Sequence, residues 1–284
     1  MVTKRPRTTK RARRTQAEVA ELRQAMIDFC TEHQPLSVRN LYYLMAQAQL
    51  VPKTDKGYRL VKDDSGTLRE TGLIPFDWLR DESRQVIQVY TCADLADGLQ
   101  DLAETYRRYI WSDQPRYVEL WCEAKASIAT LRPLVAQWHV RLVPVGGFSS
   151  KSFLWECAQH LAAIEQPIHI VYAGDFDPSG LGIEADIHRR LQRYAPGLAF
   201  NLQRIALTEQ QVIAWNLPTR APKSGDSRTK NFTADGVAEL EAIPPNELRQ
   251  MCSDVIEAHI DQDILQATKD AERQDIGQLQ EMMQ

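Results

Sequence analysis

Residues 168–194, IHIVYA followed by GDFDPSG and LGIEADIHRRLQRY, constrain this chain more than any other stretch. IHIVYA is an apolar, β-branched run of the kind that makes a buried parallel strand. Residues 181–194 then place Leu181, Ile183, Ile187 and Leu191 at helical spacing. Between the two, Asp175 and Asp177 stand two residues apart, flanked by Gly174 and a Pro178-Ser179-Gly180 turn. Carboxylates that close repel, so the pair is either well solvated or neutralised by something bound. The acids occupy a strand-to-helix crossing at the carboxyl end of a strand, where open α/β sheets place their ligand sites.

The same rhythm runs on either side. YVELWC (117–122) reads as a strand, 127–138 as a helix and VRLVPV (140–145) as a strand. Gly146-Gly147 turns into a helix over 152–164, and FNLQRIAL (200–207) gives a fourth strand followed by the helix EQQVIAWNL. Strands alternating with helices predict an α/β fold with a parallel four-stranded sheet and right-handed crossovers.

Upstream the pattern is helical. Val19, Leu22, Met26, Phe29 and Cys30 share a face over 15–33, and Gln34-Pro35-Leu36 breaks the run. Ser37 can cap a second helix with Leu41, Leu44, Met45 and Ala48 inward. A third helical stretch runs from Gly57-Tyr58 through Arg69, and an IPFDWL segment follows as a short strand or wing. This order predicts an N-terminal winged-helix (helix-turn-helix) module, and it equally suits a small helical bundle with a charged surface. The chain divides into an arm (1–14), this module (15–83), a helical connector (84–114), the α/β domain (115–217) and a C-terminal region (218–284). That last region holds a basic loop, then acidic amphipathic helices that read as a dimer contact or a partner-docking element.

The net charge of −4 conceals an asymmetry. Residues 1–14 carry seven of the 34 basic residues and no acid, leaving 27 basic against 38 acidic residues elsewhere. Such an arm is expected to be disordered and drawn to nucleic acid, or to act as a solubilising tail. No apolar segment follows its charges, so it does not read as a secretory signal, and no run approaches a membrane span. Five scattered cysteines without a CxxC read as reduced core residues of a cytoplasmic protein, and six histidines lack metal-ligand spacing.

Glu123 ends the first strand of the α/β domain, with Lys125 two residues on. A parallel sheet places Glu123 on the same carboxyl edge as Asp175 and Asp177. Three carboxylates without histidine or cysteine suit a hard divalent cation, Mg²⁺ foremost and Mn²⁺ as a substitute, such as serves transfer at phosphorus. A purely structural alternative makes Asp175 a helix cap and Asp177 a turn residue. Arg39, Lys53, Lys56, Arg59, Lys62 and Arg69 are candidate phosphate contacts. Lys223, Arg228 and Lys230 belong to a basic loop that either contacts a DNA backbone or is simply solvated.

A strand-ending glutamate followed by a strand-ending DxD and a glycine resembles the Toprim domain of topoisomerases, primases and related nucleases. Glu123, Asp175, Asp177 and Gly180 stand at the matching positions. SVRNLYY (37–43) resembles the arginine-tyrosine motif of the topoisomerase VI A subunit and the meiotic double-strand-break protein, and winged helix then Toprim is that family's order. Residues from about 36 to about 260 also resemble prophage and mobile-element proteins of this plan, through GLIPFDWLRDESR, GGFSSKSF, GDFDPSG and KSGDSRTKNF.

The resemblance implies double-stranded DNA as substrate and a nucleoid-associated location. It makes Tyr43 the nucleophile, with Arg39 assisting it and Glu123, Asp175 and Asp177 holding the metal. Lys125 becomes a DNA contact, and a twofold dimer pairs the tyrosine of one protomer with the metal of the other. Cleavage would then leave a 5′-phosphotyrosine and a free 3′-hydroxyl. The sequence departs from the family in reading Glu-Ala-Lys where many Toprim domains have Glu-Lys, and in being shorter. It has no G-x-x-x-x-G-K-[ST], so ATP-driven strand passage would need a separate ATPase subunit. Two rival classes remain: a Toprim nuclease using metal-activated water, in which Tyr42 and Tyr43 only pack, and a non-catalytic DNA-binding or assembly factor.

Overall fold

The computed structural model describes residues 14–80, 89–147, 149–221, 232, 234 and 236–283. The basic arm up to residue 13, and Lys223, Arg228 and Lys230, lie outside the described residues.

Three helices open the chain: α1 (Gln16–His33), α2 (Val38–Gln47) and α3 (Asp55–Glu70). Each starts on a hydroxyl cap, Thr15, Ser37 and Thr54, and a capping box closes the first two through Glu18 and Asn40. Leu41, Tyr42, Tyr43, Leu44 and Met45 are all buried along α2, which packs among Met26, Cys30, Val61 and Leu68 of its neighbours. Ala48, expected to face inward, is the exposed cap residue that ends α2. The IPFDWL segment forms no strand: it turns at Pro75, where the Trp78 N–H bonds back to the Pro75 carbonyl. It contributes one parallel bridge, Leu36 to Leu79, which fastens the segment to the α1–α2 connection. Arg14, the last residue of the arm, reaches the buried Asp64 carboxylate at 2.8 Å, as Arg23 does at 2.9 Å.

The connector expected to be helical over 84–114 is helical only over α4 (Leu95–Thr105) among its described residues. Asp94 caps its start, and its end gives way to side chains that reach elsewhere: the Tyr106 hydroxyl and the Arg108 guanidinium both bond Asp275.

The α/β part follows the expected order. Strands β1 (Tyr117–Cys122), β2 (Arg141–Pro144), β3 (Ile168–Ala173) and β4 (Phe200–Ala206) alternate with α5 (Ile128–Trp138), α6 (Lys151–Ala162) and α7 (Pro178–Tyr194). All pairings are parallel and the spatial order is β2-β1-β3-β4. Every residue of β1 is buried and so is nearly every residue of β3, which is why both read as mostly apolar runs. The buried exception to apolarity is Glu119 of β1. It accepts hydrogen bonds from the Tyr117 hydroxyl (2.8 Å), Trp121 Nε1 (2.7 Å) and the Arg141 guanidinium (2.6 Å). Four of the five cysteines are buried and all five are free; Cys92, read as core, is exposed. Leu181 is likewise half exposed on α7.

The chain continues through α8 (Glu209–Ala214), a 3₁₀ turn at Leu240–Ala242, α9 (Pro245–Glu257) and α10 (Gln262–Met282). Leu248, Cys252 and Ile256 of α9 enter the sheet core, whereas Ala242 belongs to the core of the N-terminal helices and Leu240 and Ile243 to that of the sheet. The 240–243 segment therefore sits between both cores and joins them. No helix among the described residues is long and apolar enough to cross a membrane.

Candidate active site

Glu123 follows the last residue of β1, and its N–H bonds the Ala173 carbonyl at the end of β3. Adjacent central strands of a parallel sheet thus bring Glu123 beside the Asp175–Asp177 turn. Two glycines leave room for the glutamate. A Cβ on Gly174 would stand 2.7 Å from Glu123 Oε2, and one on Gly180 would stand 3.1 Å from it and 2.3 Å from the Asp175 carbonyl oxygen. The Tyr172 hydroxyl donates to Glu123 Oε2 at 3.1 Å.

Asp177 is the N-cap of α7, its Oδ1 accepting from the Gly180 N–H at 2.6 Å, and Pro178 occupies the first turn. Asp175 Oδ1 accepts from the Leu240 N–H at 2.9 Å. Both aspartates thus carry structural bonds, with the cap on Asp177 rather than on Asp175. Among the described residues each of the three acids is engaged through one oxygen only in these bonds.

The crowding shows in the protonation. Burial raises the Glu123 carboxyl from its ordinary 4.5 to about 7, and Asp175 and then Asp177 push the same way. Burial also raises Asp175 to about 6; the Leu240 N–H bond opposes the rise and Asp177 reinforces it.

The turn is held by a residue that the sequence reading passed over. From β4, Arg204 reaches the carbonyl oxygens of Gly174, Asp175, Gly180 and Leu207, all at 3.2 Å, and pairs with Glu184 at 2.6 Å. Its guanidinium lies 5.0 Å from the Tyr172 ring centroid. A flat five-donor fork is the one side chain able to gather so many carbonyls at once.

A second omission is larger. Antiparallel bridges Phe176–Ala238 and Arg220–Val237 lay the VAELEA segment against the aspartate turn. They bring Glu239 and Glu241 to the site. Burial raises the Glu241 carboxyl to about 7, with Asp175 adding to the rise. Glu239 is held below its ordinary value: burial works against it, but the bonds from Arg39 and the charge of Arg220 prevail. No local sequence pattern marks the two acids: Glu239 precedes the 3₁₀ turn at Leu240–Ala242 and Glu241 lies within it.

Arg39 and Tyr43 meet the acids here. Arg39 Nε bonds Glu239 at 3.0 Å, its Nη2 bonds the same oxygen, and Glu241 lies 3.8 Å away. Tyr43 is 5% exposed, and its phenol lies close enough to Glu239 to feel that carboxylate. Burial first, and then the Glu239 charge, push its phenol well above the ordinary value, and the opposing pull of Arg39 is outweighed. The help expected of Arg39 is present as that opposing pull, but burial exceeds it and Arg39 is itself paired with Glu239. Tyr42 packs edge-on against Tyr43 and Tyr58, as expected of a core aromatic. Tyr43 and Glu239 belong to the same chain, so this electrostatic influence needs no second protomer.

The expected cations separate into two groups. Lys53, though exposed, donates to the Pro218 carbonyl (2.6 Å) and lies 5.6 Å from the Tyr43 ring centroid, so it is already engaged beside the tyrosine. Lys56 and Arg59 are exposed on α3. Arg39 and Lys125 line one cavity together with Lys62 and Arg69.

Among the described residues no three histidine, cysteine or acidic side chains are gathered into a ready ligand cage. The donor set nonetheless fits Mg²⁺, which keeps several waters and needs only one or two carboxylates beside a phosphate. No protein-family model and no curated protein matches this chain.

Proposed function

We propose that this chain is a divalent-metal-dependent DNA-cleaving enzyme of the topoisomerase VI A type, with a winged-helix-like N-terminal module and a Toprim-like α/β domain. One observation carries the reading: Tyr43, Glu239, Arg39 and the acids Glu241, Asp175 and Glu123 form one contiguous group joining the two modules.

Glu123, Asp175 and Asp177 are the residues that would hold Mg²⁺, which when bound neutralises charge on the phosphate under attack. Tyr43 Oη forms the new bond to phosphorus as the bond to the 3′ oxygen breaks, leaving a 5′-phosphotyrosine and a 3′-hydroxyl. The phenol proton passes to Glu239, which releases it to solvent, and the departing 3′ oxygen takes up a proton from solvent. Arg39 couples binding to this step. While it pairs with Glu239 it keeps that carboxylate a weak base; a DNA phosphate that draws Arg39 away leaves Glu239 more basic beside the phenol. A twofold dimer would present two such sites to the two strands. Strand passage, if coupled to ATP, falls to a partner subunit.

The burial of Tyr43 favours a second reading, hydrolysis by metal-activated water with the tyrosine as a packing residue. Supercoiled plasmid incubated with Mg²⁺ or Mn²⁺, stopped with detergent and run with and without protease separates the two. Protein-linked ends lost in both Tyr43→Phe and Glu123→Gln support transesterification. Free ends that persist in Tyr43→Phe overturn it in favour of hydrolysis.

A further inference from the structure

Between α2, α3 and the turn after β1 lies a cavity of about 460 Å³. Arg39, Lys62, Arg69, Arg80 and Lys125 line it, and no acidic side chain does so among the described residues. The N-cap and first residue of α2, Ser37 and Val38, also face it, so the positive end of that helix opens on the same space. Five cations are thus drawn from four chain segments into one concavity of a protein whose net charge is −4. Like charges held together repel, and a bound anion relieves that repulsion.

The guanidinium groups are only partly used. Arg69 donates to the Leu79 carbonyl at 3.3 Å and lies 5.5 Å from the Phe76 ring centroid; its Nε is buried without a partner among the described residues. Arg80 donates from Nε to the Asp77 carbonyl at 3.1 Å. Each therefore keeps further donors in a fork suited to phosphate oxygens.

The shape narrows the ligand. A duplex backbone offers single charges strung along its outside, about one per 3.4 Å of strand. A recess where five cations converge instead suits one compact, multiply charged group. A terminal phosphate carries a charge of about −1.5 to −2 near neutrality and three acceptor oxygens. We propose that this cavity binds a terminal phosphate, either the 5′-phosphate of a nucleic-acid end or the equivalent group of a free polyphosphate. Lys125 stands two residues beyond Glu123, and Arg39 pairs with Glu239, so the pocket adjoins the acid group without using its carboxylates. The inference goes beyond the cleavage reading and stands without it.

Binding is measured on the full chain carrying Glu123→Gln, in EDTA, so that cleavage plays no part. Fluorescence anisotropy compares a 3′-labelled duplex bearing a 5′-phosphate with the same duplex bearing a 5′-hydroxyl. Charge-assisted bonds to the extra oxygens predict about tenfold tighter binding of the phosphorylated duplex. Lys62→Gln with Arg80→Gln is expected to abolish that preference while sparing the weaker hydroxyl complex, and Lys125→Gln alone to reduce it. Inorganic pyrophosphate as competitor distinguishes the sources: displacement points to free polyphosphates, and its failure to a nucleic-acid end. Equal binding of the two duplexes by a protein that pyrophosphate does not engage overturns the proposal, as does a preference unchanged in both folded variants.

Discussion

Glu123→Gln isolates the electrostatic state of the acid group. The glutamate carboxyl sits at about 7 against an ordinary value of 4.5, chiefly through burial and then through Asp175. A carboxyl raised on folding binds more protons in the native state than in the unfolded one, so stability falls as pH climbs between those two values. At about pH 8 the full cost of ionising Glu123 in the folded chain is about 3 kcal/mol, and water reaching the partly open carboxylate trims this to about 2 kcal/mol. At about pH 5 the same linkage leaves less than about 1 kcal/mol. A glutamine cannot ionise, and its amide oxygen still accepts from the Tyr172 hydroxyl. Urea denaturation in EDTA should therefore find Glu123→Gln more stable than wild type by about 2 kcal/mol at about pH 8 and nearly equal at about pH 5. Adding Mg²⁺ should stabilise wild type at the higher pH and the variant much less, since only a native-state site gains from the ion. A variant less stable than wild type at both pH values would refute the reasoning, because Glu123 would then be stabilised in place by its bonds.

Further outcomes follow from neighbouring residues. Gly180→Ala sets a Cβ 2.3 Å from the Asp175 carbonyl oxygen, a backbone atom that cannot swing aside; it should lower stability by about 2 kcal/mol and weaken Mg²⁺-dependent stabilisation, read by thermal shift with and without the ion. Arg204→Lys keeps a charge near Glu184 but cannot span four carbonyls, so about 2 kcal/mol of stability and the order of the aspartate turn should be lost, seen as faster amide exchange at residues 174–180. Glu239→Gln removes the proposed proton acceptor of Tyr43 and frees Arg39; single-turnover cleavage should slow about a hundredfold or more while DNA binding holds or tightens. Equal loss of binding and rate would contradict that role.

Strands β1 and β3 were legible to the residue because central parallel strands are buried on both faces and spell themselves as mostly apolar runs, YVELWC and IHIVYA. Ser37 was legible because capping chemistry is local. Glu123 and Asp175 could be placed together because adjacent strand ends share an edge. Glu239 and Glu241 were not legible, because isolated bridges carry them to the site across some sixty residues, and local pattern says nothing of such pairing. Arg204 hides within a strand whose alternation gives no hint that its fork turns back over the loop. Arg39 and Lys53 read as free cations because sequence does not show the acceptors that Glu239 and Pro218 supply. Helix α4 was overdrawn because amphipathic spacing continues past the point where Tyr106 and Arg108 leave to reach Asp275.

The most direct measurement of the central claim is to map the DNA-linked peptide. A duplex cut in the presence of Mn²⁺ is trapped with detergent, the protein is digested, and the peptide left on the 5′ end is sequenced by mass spectrometry. A phosphodiester on Tyr43 is expected, and none when Glu123→Gln or Tyr43→Phe replaces wild type. Cut DNA bearing a free, ligatable 5′-phosphate and no peptide would contradict it.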